Sequence, residues 1–263
     1  MPTAIAAFAH PDDIEFFGAG TLHLLSKAGW DCYYFCLCNG SGGSTTANPQ
    51  QTILIRSQEG RSAAKILEAN YCPPISDDLV LMYDTRTLAK VSAVFRDIAP
   101  DVVLTHSPQD YMEDHTNTSR LVSTAAFALR VPNFGTEPPR QAPMNDVAIY
   151  HAMPHGFRDQ VRNPVRAASF VDTSTVYEKK LEALTAHASQ NNWLEKTQGK
   201  DSYLETCSTM SRKMGEMSGR FSHAEGWRRH LHLGYSAEDD DPLTAALKER
   251  YWIDPEHPAN QPV

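Results

Sequence analysis

Three things are missing from these 263 residues: a long apolar run, a basic surplus and a paired-cysteine motif. The apolar run near the N-terminus, TAIAAFA at 3–9, falls far short of the roughly 20 residues that span a bilayer. No basic n-region or signal-peptide core accompanies it, so we expect a cytoplasmic protein with no membrane partner. Basic residues number 24 against 32 acidic ones, a net charge of −8 with a pI near 5.7, which argues against nucleic acid as the main partner. The five cysteines are an odd number with no CxxC, which argues against a disulfide framework and fits a reducing compartment. Three of them share the run CYYFCLC, whose alternation would set Cys32, Cys36 and Cys38 on one sheet face as buried thiols. There is no internal repeat. Nor does a G-x-G-x-x-G follow the first apolar strand; HPDD stands there, Gly18 and Gly20 come too late, and a dinucleotide site is a poor fit.

What is present is an alternation of short apolar runs with helix-period segments. Strands are expected at 3–9, 32–38, 101–106, 146–152 and 167–171, with a weaker one near 78–83. Helices are expected at 19–28, 54–68 (Ile55, Ala63, Ile66 and Leu67 inward), 86–98, 115–130 and 175–189, the last with capping-box spacing from Thr175 to Glu178. This order predicts an α/β fold: a Rossmann-like, doubly wound, mostly parallel sheet with helices on both faces and strand order 3-2-1-4-5. The whole of 1–263 reads as one domain, with a core at 1–130, a continuation carrying substrate loops at 131–235 and a tail at 236–263. The Pro-rich stretch 131–146 reads as a surface loop near the site.

The chemistry-bearing residues fall at two strand ends. His10, Pro11, Asp12 and Asp13 follow the first strand; His106, Asp110, Asp114 and His115 follow the fourth. In the doubly wound order those strands are neighbours, and the crevice outside their carboxyl ends is where such folds bind ligands. His10, Asp13 and His115 would supply two imidazole nitrogens and a carboxylate oxygen, a set suited to Zn2+ or another divalent ion such as Fe2+. Asp12, in the same turn, would be left to take a proton from water. Each motif alone has a plain structural reading, since Asp commonly caps helices.

AHPDDIEFFGAGTL resembles the signature of the LmbE/PIG-L family of zinc-dependent N-deacetylases. So do CNGSGGS, the R-x-x-E of IRSQEGRSAAKIL, HSPQDYMEDH, KKLEALTAHASQ and SHAEGW, in the same order over most of the chain. The resemblance implies metal ligands His10, Asp13 and His115, Asp12 as general base towards a metal-bound water, and a substrate-contacting Arg56. It also implies that Asp114 orients His115 or a neighbour at the substrate site. Where relatives carry a histidine, this chain has Met112, which can donate no proton. His187 is the first candidate to replace it and His155 the second. The expected activity is removal of an acetyl group from an N-acetylated amino sugar or related glycoconjugate, by an enzyme that assembles as a trimer or hexamer. A non-sugar amidase and a metal- or sugar-binding module are the alternatives. Phe16, Phe17, Tyr111, Trp193 and Trp227 are aromatic candidates for the site's rim.

Overall fold

The computed structural model describes residues 1–190 and 202–261. β1 (Thr3–Phe8) is the centre of the fold, because its run of apolar side chains has something to cover it on both sides. Ala4, Ala6 and Phe8 enter one apolar core and Ile5 and Ala7 the other, all fully buried. The first core is closed by helices α1 (Asp13–Phe17), α2 (Ala19–Lys27) and α3 (Pro49–Ile66), the second by α4 (Thr85–Ile98) and α5 (Glu113–Phe127). Starts are set locally. Asn48 caps α3 in a reciprocal capping box with Gln51, Pro49 opens the helix, and Asp84 caps α4 through Thr87.

β2 (Asp31–Cys36), β3 (Asn70–Cys72), β4 (Val102–Thr105) and β5 (Ala148–Ala152) join β1 in the parallel order β3-β2-β1-β4-β5. The sheet then turns mixed: β7 (Ala224–Arg229) pairs antiparallel with β5 and with β6 (Ser169–Asp172), and β8 (Tyr251–Ile253) closes the edge. The expected fold class and the 3-2-1-4-5 order are both present. The winding reverses between β1 and β4, so their carboxyl ends open a crevice. No helix among the described residues is long and apolar enough to cross a membrane.

Several local expectations give way. The run at 78–83 forms no strand; Leu79, Val80, Met82 and Tyr83 are exposed, and the third strand is Asn70–Cys72. Ile55 faces solvent, and α3 turns Arg56 inward instead. Cys38 lies beyond the end of β2 and packs into the opposite core from Cys32 and Cys36. The capping box at Thr175 does not form; a short 3-10 turn, Ser174–Val176, leads into α6 (Tyr177–Thr185) without a side-chain cap. The helix Ser202–Ser218 and the strands β7 and β8 lie where no regular element was expected.

Candidate active site

The segment after β1 brings two side chains, His10 and Asp13, to one point. The backbone N–H of His10 donates to Asp13 Oδ2 at 2.7 Å, which folds the turn so that the carboxylate returns over the strand end. His10 Nε2 lies 3.0 Å from Asp114 Oδ2, which also accepts from the Leu79 N–H at 2.7 Å. With the ring proton directed to Asp114, the His10 Nδ1 lone pair faces Asp13 Oδ2 at 3.3 Å. The loop after β4 does the same from the other side. His115 Nδ1 meets Asp110 Oδ1 at 3.0 Å, leaving Nε2 directed at Asp13 Oδ2 at 3.4 Å. That Nε2 is buried and has no hydrogen-bond partner among the described residues.

The donor atoms of His10, Asp13 and His115 all lie within 4.8 Å of one another. Two lone pairs and a carboxylate oxygen facing one point repel each other unless a cation sits between them. The carboxylates raise both imidazole pKa values against the opposing effect of burial. Burial alone would raise the Asp13 carboxyl, but His115 and His106 hold it well below its usual range. The residues present therefore fit a divalent ion in chemistry and in placement. Two overlapping sets fit less well. His106 Nε2 already accepts the Ala9 N–H at 3.0 Å, and burial lowers the His106 pKa to about 4. Burial pushes the Cys38 thiol beside His10 and Asp114 up to about 11, which keeps it from being a thiolate.

Asp12 stands next to this point in a left-handed conformation, φ +111°, that an aspartate adopts only under constraint. Its Oδ2 accepts from Tyr203 Oη at 2.8 Å and pairs with Arg56 Nη2 at 3.2 Å. Arg56 also donates to the Pro11 carbonyl and to Glu59 Oε2, and Glu59 in turn accepts from the Ser189 N–H and hydroxyl. Burial pushes the Asp12 carboxyl above its ordinary range, against the opposing pull of Arg56.

A cavity of about 540 Å³ opens over these groups. Phe16, Phe17 and Tyr111 line it, as do Arg56, Met112 and His155. Trp227 does not reach it; its ring is fully buried and its indole N–H donates to Thr21. Trp193 lies outside the described residues. Asp114 is buried behind His10 and does not line the cavity, so it serves His10 rather than a ligand. The orienting partner of His115 is Asp110, a role the sequence had offered to Asp114. His187 is fully buried, 3.4 Å from Glu15 Oε2, and does not line the cavity, whereas the exposed His155 stands on its rim. The loop 131–146 contributes nothing to the walls; Gly40, Gly42, Gly43 and the Asp78–Leu79 segment do instead. Gly40 holds φ +78°, and a Cβ there would meet Arg56 Cγ at 2.8 Å, so the glycine loop can seat itself against the arginine only without a side chain. Tyr203 was not among the expected site residues, and no local pattern around it marks it.

The profile of the family described as PIG-L: GlcNAc-PI de-N-acetylase matches residues 5–126, the segment that carries both loops. The chain carries a PIG-L family domain. Diacetylchitobiose deacetylase of Thermococcus kodakarensis is 28% identical to this chain over 194 residues, 69% of this chain and 67% of that protein. The 4-oxalmesaconate hydratase of Pseudomonas putida is 24% identical over 201 residues, 73% of this chain and 76% of that one. The crystal structure of 4-carboxy-2-hydroxymuconate hydratase from Pseudomonas putida superposes with a TM-score of 0.75 at 20% identity, covering 92% of this chain and 99% of the other. The relatives of this chain thus include both a deacetylase and a hydratase.

Proposed function

We propose that the chain hydrolyses the amide of a small N-acylated molecule, an N-acetylated amino sugar or glycoconjugate, with a divalent ion held by His10, Asp13 and His115. Zinc is the ion we favour, and ferrous iron the alternative. The observation that carries this reading is the convergence of His10 Nδ1, Asp13 Oδ2 and a His115 Nε2 without a hydrogen-bond partner among the described residues, beside Asp12, on the floor of a cavity. When bound, such an ion supplies a Lewis acid that polarises the scissile carbonyl and makes a neighbouring water more acidic.

The chain's own residues supply the rest. Arg56 and Tyr203 occupy Asp12 Oδ2, which leaves Oδ1 to take the proton from the attacking water. Asp110 and Asp114 keep the ring protons of His115 and His10 away from the ion. Met112 has no proton for the departing amine, and His155 on the rim is the group placed to give one. Phe16, Phe17 and Tyr111 offer flat faces for a sugar ring. The cavity lies within the size range of small-molecule sites. Five free, buried cysteines support a reducing compartment such as the cytoplasm.

Met112 also favours a second reading. Hydration of an unsaturated acid, the type of activity named for the Pseudomonas putida relative, releases no amine, so it needs no acid at that position. Acetate release from a panel of N-acetylated sugars, run beside water addition to unsaturated keto acids, separates the two. For the deacetylase reading, Asp12→Asn should keep its zinc and lose about 10²- to 10⁴-fold in kcat. His155→Gln should fall further than His187→Gln. A zinc- or iron-loaded protein that releases no acetate from any member of the panel rejects the deacetylase reading.

A further inference from the structure

The loop after β4 walls a second cavity, of about 460 Å³, at Pro108. Arg120, Ser119 and Ser123 of α5 line it, together with His151 of β5, Arg228 of β7 and His230. None of these residues belongs to the candidate active site. Two of them are guanidiniums with no carboxylate in ion-pair distance among the described residues. Arg228 donates from Nη1 to Gln109 Oε1 at 2.9 Å and from Nη2 to Ser107 Oγ at 2.7 Å, both neutral acceptors. Its Nε is buried with no acceptor among the described residues. Arg120 is exposed and lies over the Tyr83 ring, 4.6 Å from the centroid. The third arginine of the cavity, Arg229, is taken by Asp239 at 2.9 Å.

A role in pinning the 107–109 segment accounts for the two terminal nitrogens of Arg228. It does not account for a second guanidinium, that of Arg120, lining the same space. In a chain of net charge −8, carboxylates to neutralise these arginines were abundant, yet none is placed here. Ser123 also lines these walls, while the buried Ser119 Oγ lies 3.3 Å from His151 Nδ1. His151 has its Nδ1 at 2.9 Å from the His106 carbonyl and its Nε2 at 2.8 Å from His230 Nδ1, an arrangement of neutral rings that brings no negative charge.

We propose that this cavity binds a small oxyanion between Arg228 and Arg120, a phosphate monoester or a dicarboxylate, with its organic body in the remaining volume. Guanidinium forks match such groups in geometry and charge. Because Arg228 also holds Ser107 and Gln109, the bound anion acts on the segment that leads into Asp110.

The test is calorimetric titration of the full-length, metal-loaded protein with inorganic phosphate, glycerol 3-phosphate and succinate, at constant ionic strength in chloride. Saturable binding of at least one probe is expected, and the tighter organic probe names the class. Arg120→Gln, at an exposed position, should weaken that binding about tenfold, the loss of one charge-assisted contact. Arg228→Gln should weaken it further, and Arg120→Gln keeps the test decisive if Arg228→Gln fails to fold. No saturable binding of any probe, or binding in Arg120→Gln equal to wild type, overturns the proposal.

Discussion

Replacing Asp110 should weaken metal binding without touching a proposed ligand. Asp110 Oδ1 lies 3.0 Å from His115 Nδ1, and both side chains are within 3% of full burial. In such a place the charge on Asp110 is poorly screened and fixes the ring's tautomer. Burial opposes that charge, but the bond from His115 holds the Asp110 carboxyl below its ordinary pKa. Asp110→Asn keeps an acceptor of the same shape and loses the charge. Asp110→Ala loses both, and lets a proton move to Nε2, where it would point at Asp13. Changes of this kind cost about 10- to 100-fold in metal affinity, or about 1.4 to 2.7 kcal/mol. We expect Asn near the lower end of that range and Ala near the upper. Competition for zinc against a chromophoric chelator measures it. Asp146→Asn, which breaks only an exposed pair with Arg130, serves as the control. If both Asp110 variants bind zinc as tightly as the control, His115 Nε2 is not a ligand, and the assembly of the site is wrong.

Three other outcomes are expected. Lys180→Met strands Glu225, which is buried and also accepts from the Gly20 and Thr21 N–H groups, so urea unfolding should show a loss of about 3 to 5 kcal/mol. Much of that loss should return in Lys180→Met/Glu225→Gln. Gly40→Ala places a Cβ against Arg56 at a positive φ, and should cost about 1 to 2 kcal/mol in the same assay while lowering turnover. Burial lowers the His151 pKa from 6.5 to about 4, so protonation favours the unfolded chain. His151 stability is therefore complete above pH 6.5 and lost as pH falls towards 4, by about 3 kcal/mol at most. His151→Asn should flatten that part of the stability profile.

The parallel half of the sheet was legible because each strand is a short apolar run and each crossover a helix of ordinary length. The two acidic-histidine loops were legible because polar residues that end a buried strand have only the rim to occupy. Their finer assignments were not. HSPQDYMEDH suggested Asp114 as the carboxylate that orients His115, and the start of α5 at Glu113 gives that place to Asp110. Asp114 turns to His10, whereas Asp110, still ahead of the helix, reaches the ring of His115. In α3 the apolar pattern favours Ile55 as an inward residue, but Asp12 and the Pro11 carbonyl draw Arg56 in. The run LVLMY reads as a strand by composition, yet its Leu79 N–H goes to Asp114 rather than to a sheet. Tyr203 was invisible because nothing near it in sequence hints at a contact with Asp12, 191 positions away.

The hydroxyl that Tyr203 lends to Asp12 also sets a timetable. A ribosome making this protein has finished His10, Asp13, Arg56 and His115 long before it reaches residue 203. It must reach 225 before the carboxylate that caps Gly20 and Thr21 exists at all. The residues proposed to hold a metal are thus synthesised early, while the residue that anchors the proposed base comes late. The complete candidate site waits for the last third of synthesis.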